Sequence, residues 1–383
     1  MALGEKTELG KIAEPEQVLN IMTSCDNGYA KYVLPQIASI AENLKQYKVN
    51  FYLFHSRIQP QNIELLKNYC EKFENIAFNE VIVHDFELYE QLHPGQTGGW
   101  TYEMYYSLCC HKYLPETVNR ILYIDAGDVY INGDISDYYF CDFENKNLMV
   151  TLARFKNEGS LYSGNDLEND EELKAIARGL FNSGSYMINV KKFREENVSM
   201  ENYLQITKIL TQRLKTPNSW FGDQGLLSVA FAGSIKYYMY PQMKNIWFMP
   251  YNFCLWFFDR AKDLWYEPRI IHFAGADFKP WQVRFNTNFK YNFEKDFTGD
   301  YAPCCLKEKQ IKFYEAWWKY CSQTPVYEEL NLPASVYAKA LEKHFFPLCE
   351  KHNKFIDKYI ELANKHIKLT DKLAKSAASF RKK

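Results

Sequence analysis

A chain of 383 residues with 17% aromatic side chains is long enough to bury one large core or two smaller ones, and its formal net charge of −1 gives no overall field of the kind nucleic-acid binding requires. No apolar run reaches the length of a membrane span, and the opening MALGEKTELGKIAEPEQ has no signal-peptide core, so the expectation is a cytoplasmic protein. The ten cysteines (25, 70, 109, 110, 141, 254, 304, 305, 321 and 349) show neither CxxC nor Cys/His ligand spacing, which fits small buried side chains in a reducing compartment and argues against a zinc site.

From residue 17 short apolar runs alternate with helical periods. The runs 18–24, 49–56, 81–86 and 121–126 read as strands, and 29–45, 63–73 and 101–113 as helices between them. Pro35 either kinks the first helix or sets its first turn. Further strands follow at 148–153, 185–190, 235–240 and 269–274, while 154–172, rich in Asn, Asp, Glu and Gly, reads as a loop over one rim. Strands alternating with helices predict a parallel sheet with helices on both faces. Beyond about residue 285 the strand signal fades, so the chain divides into a domain over 17–284 and a mainly helical C-terminal extension over 285–383. Residues 351–383 hold ten Lys/Arg against three Asp/Glu, a local charge of +7 that leaves −8 on the remainder. Phe355, Ile356, Tyr359, Ile360, Leu362, Ala363, Ile367, Leu369 and Leu373 share one broad face of that tail.

The stretch RILYIDAGDVYINGDI (120–135) drives an apolar run into Asp125 and Asp128, with Ala126 and Gly127 between them. A plain turn is one reading, since Asp and Gly are common at strand ends. A divalent-cation site is the other. Residues three apart on an extended strand face opposite ways, but Gly127 can take a positive φ and form a bend in which the two acids converge. Convergent carboxylates repel unless a cation lies between them, and such oxygen ligands suit Mg²⁺ or Mn²⁺ with substrate phosphates completing the shell. Ligands of parallel sheets sit outside the carboxyl ends of the strands, where Asp26 also emerges after the first strand.

Four more stretches bear on the choice. TSCDNGY (23–29) offers Asp26 and Tyr29, suited to the edge and the face of a base. FNSGSYMINVKKF (181–193) puts the small polar groups Asn182, Ser183 and Gly184 ahead of a strand, where a sugar can lie against the backbone. GDQGLL (222–227) sets Asp223 and Gln224 at a helix start, where Asp223 also suits an N-cap. IIHFAGADFKPW (270–281) ends a strand with His272, followed by Gly275, Lys279 and Trp281; a lone histidine of this kind is more often structural than a ligand.

Together these segments resemble the family 8 glycosyltransferases, retaining enzymes of the GT-A fold that use nucleotide sugars. The matching pieces occur in the family's order between about 18 and 281. The resemblance implies an α/β fold of the GT-A type, a mixed, mainly parallel sheet flanked by helices. It implies a hexosyltransferase moving glucose or galactose from a UDP-sugar to a saccharide or glycolipid acceptor, as in bacterial lipopolysaccharide biosynthesis. Mn²⁺ (or Mg²⁺) would be held by Asp125, Asp128 and His272. Thr23, Asp26 and Tyr29 would serve the nucleotide; Asp125, Ala126, Asn182, Ser183, Gly275 and Lys279 would complete the nucleotide-sugar contacts; Asp223 and Gln224 would lie beside the reacting sugar. The chain departs from the family pattern in three places. The second acid stands one position later than in D-x-D, the interval from His272 to Lys279 is one residue longer, and Ser107 stands where an arginine is common. A non-catalytic nucleotide-sugar-binding protein and a glycogenin-like self-glucosylating enzyme remain as alternatives. The basic tail is expected either to dock peripherally on anionic lipid or to pack on the protein with its charged face in water.

Overall fold

The computed structural model describes residues 17–92, 101–151, 181–213, 222–238, 250–254, 267–274, 279–281 and 308–330, with parts of a helical run between 354 and 368. Among these, ten strands occur: β1 (Val18–Ser24), β2 (Lys48–His55), β3 (Ile76–Ile82), β4 (Ile121–Ile124), β5 (Val129–Ile131), β6 (Leu148–Val150), β7 (Ser185–Ile188), β8 (Ile235–Tyr237), β9 (Phe253–Cys254) and β10 (Ile270–His272). Seven of them form one sheet in the order β3-β2-β1-β4-β7-β6-β8. β3, β2, β1 and β4 run parallel; β7 is antiparallel to β4 and β6; β8 is parallel to β6. The sheet is thus mixed and mainly parallel. Its central strands are buried on both faces, which is why VLNIMTS and KVNFYLFH lose their alternation and read as continuous apolar runs. Met22, Tyr52, Phe54, Tyr123 and Tyr186 all enter one aromatic-rich core with Tyr105 and Tyr106.

The first helix forms in two steps, a 3-10 turn at Ala30–Tyr32 and an α-helix over Val33–Asn43. Pro35 sits in the first α-helical turn, where its missing N–H costs no intrahelical bond. Two predicted elements differ from what forms. The strand expected at 81–86 ends at Ile82, because β3 pairs with β2 from Val49↔Ile76 to His55↔Ile82 and the chain then turns into a short helix at Phe86–Glu90. The helix expected at 101–113 is instead a run of 3-10 turns over Tyr102–Lys112, interrupted at Cys109 (φ −126°, ψ 28°). Every residue from Tyr105 to His111 is buried there, and the non-helical backbone at Cys109 divides the run in two. The expected loop at 154–172 lies outside the described residues.

A second, three-stranded sheet carries much of the site. β10 pairs antiparallel with β5, His272 opposite Val129, and parallel with β9, His272 opposite Cys254. The free edge of β5 is covered by side chains in place of a strand. Ser39 Oγ accepts from the Ile131 N–H (3.0 Å), and Asn43 Nδ2 donates to the Ile131 carbonyl (2.9 Å). Gln36 Nε2 donates to the Asp125 and Val129 carbonyls (2.8 and 2.9 Å) and so closes the bend between β4 and β5. Gln36, Ser39 and Asn43 recur at helical spacing on Val33–Asn43 and form one polar stripe, buried at Gln36 and Ser39 and half-buried at Asn43.

The chain divides into two compact units, Met1–Gln282 with Asn292–Val326, and Val283–Tyr291 with Tyr327–Lys383. The first takes in a helix at Glu308–Cys321 that lies beyond the expected boundary at 284. That helix buries Phe313, Trp317 and Tyr320, and the Tyr320 hydroxyl accepts from Asn43 Nδ2 (2.8 Å). In the second unit the described residues between 354 and 368 are helical and exposed, Phe355, Ile360 and Leu362 at 66%, 52% and 58%. No helix among the described residues is long and apolar enough to cross a membrane.

Candidate active site

The bend after β4 is held at the carbonyls of Asp125, Gly127, Asp128 and Val129. Besides the two bonds from Gln36, the Asp128 carbonyl accepts from the Phe273 N–H (2.9 Å), the Gly127 carbonyl from Trp317 Nε1 (3.3 Å), and the Asp125 N–H donates to the Gly184 carbonyl (3.0 Å). Gly127 takes φ +67°, the left-handed region that glycine enters without penalty. A Cβ there would also stand 2.5 Å from Cβ of Tyr32.

This bend turns Asp128 back toward Asp125, and the pairing of β10 with β5 carries His272 to the same point. Ligand atoms of Asp125, Asp128 and His272 all lie within 4.8 Å of one another. Nε2 of His272 is 3.5 Å from Oδ2 of Asp125, while Oδ1 of Asp125 accepts from the Tyr123 hydroxyl (3.1 Å). Lys279 pairs with Oδ2 of Asp128, and both side chains are nearly buried. Oδ1 of Asp128 is buried without a hydrogen-bond partner among the described residues. Two carboxylates and a neutral imidazole, with one carboxylate oxygen unsatisfied, form a ligand set that fits Mn²⁺ or Mg²⁺.

Burial sets the charges. It pushes the Asp125 carboxyl up to about 6, with Lys279 and the Tyr123 hydroxyl drawing it back, and water at the third of the side chain that stays open limits the effect. It lowers His272 to about 3, so the ring is neutral and able to ligate. It lowers Lys279 to about 8 against the pull of Asp125. Asp223, buried in range of the Asp125 charge, rises to about 8. Gly184 matters for space, since a Cβ on it would stand 2.0 Å from Cε1 of His272.

The other candidates surround this centre. Asp26 is partly exposed and accepts from the Tyr29 N–H (2.9 Å), and the Tyr29 ring meets Trp281 and Tyr32 edge-on at 6.0 and 5.6 Å. Trp281 stacks on Tyr32 at 4.0 Å, which ties the segment after Lys279 to the start of the first helix. The Ser183 hydroxyl donates to Asp223 (3.1 Å) and the Ser183 N–H to Gln224 Oε1 (3.3 Å), so the 182–184 turn and the helix Gly222–Ala230 present their polar groups jointly. Asn182 and Gln224 are partly exposed and Ala126 is buried. Thr23 is the exception. It is fully buried and its hydroxyl donates to the Ile124 carbonyl (2.8 Å), so its side chain is committed to the sheet. Gly275 lies outside the described residues. Ser107 is also a core residue, accepting the Tyr186 hydroxyl at 2.7 Å. Sequence reading passed over Gln36, Asn252 and Trp317. Gln36 and Asn252 had one signal, a polar amide among apolar neighbours; Trp317 had none.

A parallel-centred sheet continued by antiparallel strands, with an acidic bend and a small second sheet at its carboxyl rim, is the GT-A arrangement. Residues 20–284, well over half of the chain, match the family model described as glycosyl transferase family 8, and the chain belongs to that family. A lipopolysaccharide 1,2-glucosyltransferase of Escherichia coli is 24% identical over 224 residues, 58% of this chain and 61% of that protein. This chain thus covers less than two thirds of that relative's length. Two solved structures share the fold. One is the WbbM bifunctional glycosyltransferase (TM-score 0.55, 15% identity, 85% of this chain and 53% of that one). The other is the galactosyltransferase LgtC in complex with donor and acceptor sugar analogues (TM-score 0.51, 17% identity, 77% of this chain and 99% of that one).

Proposed function

We propose that this chain is a retaining hexosyltransferase that moves glucose or galactose from a UDP-sugar to a saccharide or glycolipid acceptor, with a divalent cation. The convergence of Asp125, Asp128 and His272 within 4.8 Å at the carboxyl rim of β4 carries this reading. Family membership and the name of the E. coli relative support a hexose and an acceptor of the lipopolysaccharide kind.

Mn²⁺ (or Mg²⁺) held by those three residues would supply positive charge to the leaving diphosphate. Lys279, beside Asp128, adds a second positive charge aimed at the same phosphates. Asp26 accepts from the imide of the uracil and Tyr29 covers its face. Ala126, Asn182 and Ser183 bring small groups against the ribose and the sugar, and Gly275 would join Lys279 at the pyrophosphate. Asp223 and Gln224 flank the reacting sugar, where the Gln224 amide steadies the positive charge that develops at the anomeric carbon. As an amide it is a poor nucleophile, so no covalent intermediate is assigned to it. The acceptor hydroxyl would attack from the leaving-group side as the anomeric C–O bond to UDP breaks, passing its proton to the departing diphosphate.

The basic tail suits a cytoplasmic enzyme that rests peripherally on the inner face of a membrane, where a glycolipid acceptor is presented. Release of UDP from UDP-glucose and UDP-galactose, with Mn²⁺ and with EDTA, tests the reading. Turnover that EDTA leaves unchanged removes the cation from it. Tight UDP-sugar binding without UDP release, to water or to added saccharides, turns the chain into a nucleotide-sugar-binding protein.

A further inference from the structure

Behind the ligand cluster lies a relay of amides that the reaction does not use directly. Asn252 is fully buried. Its Nδ2 stands 2.9 Å from the main-chain carbonyl of Asn182 and 2.8 Å from Asn182 Oδ1. Its Oδ1 stands 3.0 Å from Nδ1 of His272. The direction of every bond in this relay follows from two backbone groups that cannot flip. The Gly184 N–H can only donate, and it reaches Asn182 Oδ1 at 3.0 Å, which fixes the Asn182 amide. The Asn182 carbonyl can only accept, so the group of Asn252 that faces it is the NH₂, and the group that faces His272 is the oxygen. An amide oxygen 3.0 Å from Nδ1 requires the ring proton to be on Nδ1.

The rival tautomer fails on distance. It would place the proton on Nε2, facing Asp125 Oδ2 at 3.5 Å, and set the bare Nδ1 against the Asn252 oxygen at 3.0 Å. That arrangement trades a good hydrogen bond for a long one and adds an acceptor–acceptor contact in the interior. The Cys254 thiol, 3.5 Å from Nδ1, is a weak donor and also reaches the Asn252 oxygen at 3.6 Å, so it can satisfy that oxygen's second lone pair.

We propose that Asn252 is a positioning residue, holding His272 as the Nδ1–H tautomer so that the Nε2 lone pair faces Asp125 and Asp128 as a ligand for a divalent cation. The role in catalysis rests on the cation reading above; the tautomer does not. A buried partner of this kind fixes both ring orientation and ring basicity, as carboxylates and carbonyls do behind other ligating histidines. Here a neutral amide does it, oriented in turn by the turn that carries Asn182.

The test has two arms on the full chain. In the first, nitrogen-15 shifts of histidine-labelled, metal-free protein at neutral pH report the His272 tautomer, with His272→Gln assigning the signal. Protonated Nδ1 is expected, and a ring protonated on Nε2 overturns the proposal whatever the metal does. In the second, Mn²⁺ is titrated into wild type, Asn252→Leu and Asn252→Asp. Leucine should weaken Mn²⁺ binding on the order of 10- to 100-fold. Aspartate keeps an acceptor oxygen toward Nδ1 but must carry a proton on its other oxygen to face the two Asn182 acceptors, so it should recover part of that loss at low pH and less as pH rises. Leucine binding Mn²⁺ as tightly as wild type overturns the proposal. Should the leucine variant fail to fold, the nitrogen-15 shifts of the wild type decide alone, and Nε2–H there overturns the proposal. Wild type that binds no Mn²⁺ while showing Nδ1–H sinks the cation reading, and with it the catalytic role of Asn252, but leaves the relay as described.

Discussion

A methyl group at position 184 would stand 2.0 Å from Cε1 of His272, so Gly184→Ala forces the ring out of its present position. Its expected cost in stability is about 1–3 kcal/mol, that of overpacking, and its expected cost in Mn²⁺ affinity is on the order of 10- to 100-fold. A melting curve beside an Mn²⁺ titration separates the two; a variant with undiminished affinity would show that the ring is not a ligand. Asp223 offers a test by pH. Its folded-state carboxyl sits near 8, against an ordinary value of 3.8. As pH rises between these values the unfolded chain has given up a proton that the folded protein keeps, so this residue's contribution to stability falls through that window and levels off above it. Asp223→Asn removes the effect. The variant's stability relative to wild type should therefore climb as pH goes from about 4 to about 8, measured by urea unfolding at each pH. A difference that stays flat would mean Asp223 is not held protonated.

At the scale of elements, the helix Glu308–Cys321 reaches the acidic bend through one indole, Trp317 Nε1 on the Gly127 carbonyl. Trp317→Phe keeps most of the ring and deletes that bond. It should cost about 1 kcal/mol of stability and weaken Mn²⁺ binding more than its small stability loss explains. Equal Mn²⁺ affinity would leave the helix a packing role only. This contact was illegible in the sequence, because nothing in EKQIKFYEAWWKYC distinguishes an indole that faces a bend nearly two hundred residues away from one that fills a core. The longer strands were legible, since β1, β2, β4 and β7 are apolar runs bounded by polar turns. The left-handed Gly127 was legible too, because only such a bend lets acids three apart converge. β5 and β9 were not: β9 has only two residues, too few to show any period, and β5 follows the acidic bend so closely that it merges with the turn. They exist because β10 lies between them and because Gln36, Ser39 and Asn43 satisfy the outer edge of β5. The polar stripe that makes β5 possible thus read as an ordinary helix, and His272 was placed at the acidic rim only by resemblance.

Charge is distributed unevenly over the whole chain, +7 on residues 351–383 and −8 on the rest. The described part of that tail keeps Phe355, Ile360 and Leu362 exposed among Lys354, Lys358, Lys365 and Lys368. Vesicles rich in anionic lipid should sediment the protein at low salt and release it as salt rises, and deletion of 351–383 should abolish the effect. Sedimentation that survives the deletion would place the lipid contact elsewhere.

The ion pair between Lys279 and Asp128 has a consequence for how ligands assemble. The lysine holds Oδ2 of this carboxylate and leaves Oδ1, unpartnered among the described residues, to a metal. Two cations would thus draw on one negative charge, while a diphosphate attracts both. A metal held by Asp128 would weaken the carboxylate's hold on the ammonium, and phosphates bound first would draw the ammonium off and leave the carboxylate its full charge for a metal. The two binding equilibria are therefore linked, and reciprocity requires UDP to raise Mn²⁺ affinity by the same factor that Mn²⁺ raises UDP affinity. In Lys279→Met the internal competitor is gone. Mn²⁺ should bind the nucleotide-free variant more tightly than it binds wild type, by roughly tenfold for the loss of one charge-assisted bond, and the coupling factor should shrink toward what the two ions exert on each other directly. Mn²⁺ titrations with and without UDP, on both proteins, give that factor, and an unchanged value would take the lysine out of the cycle.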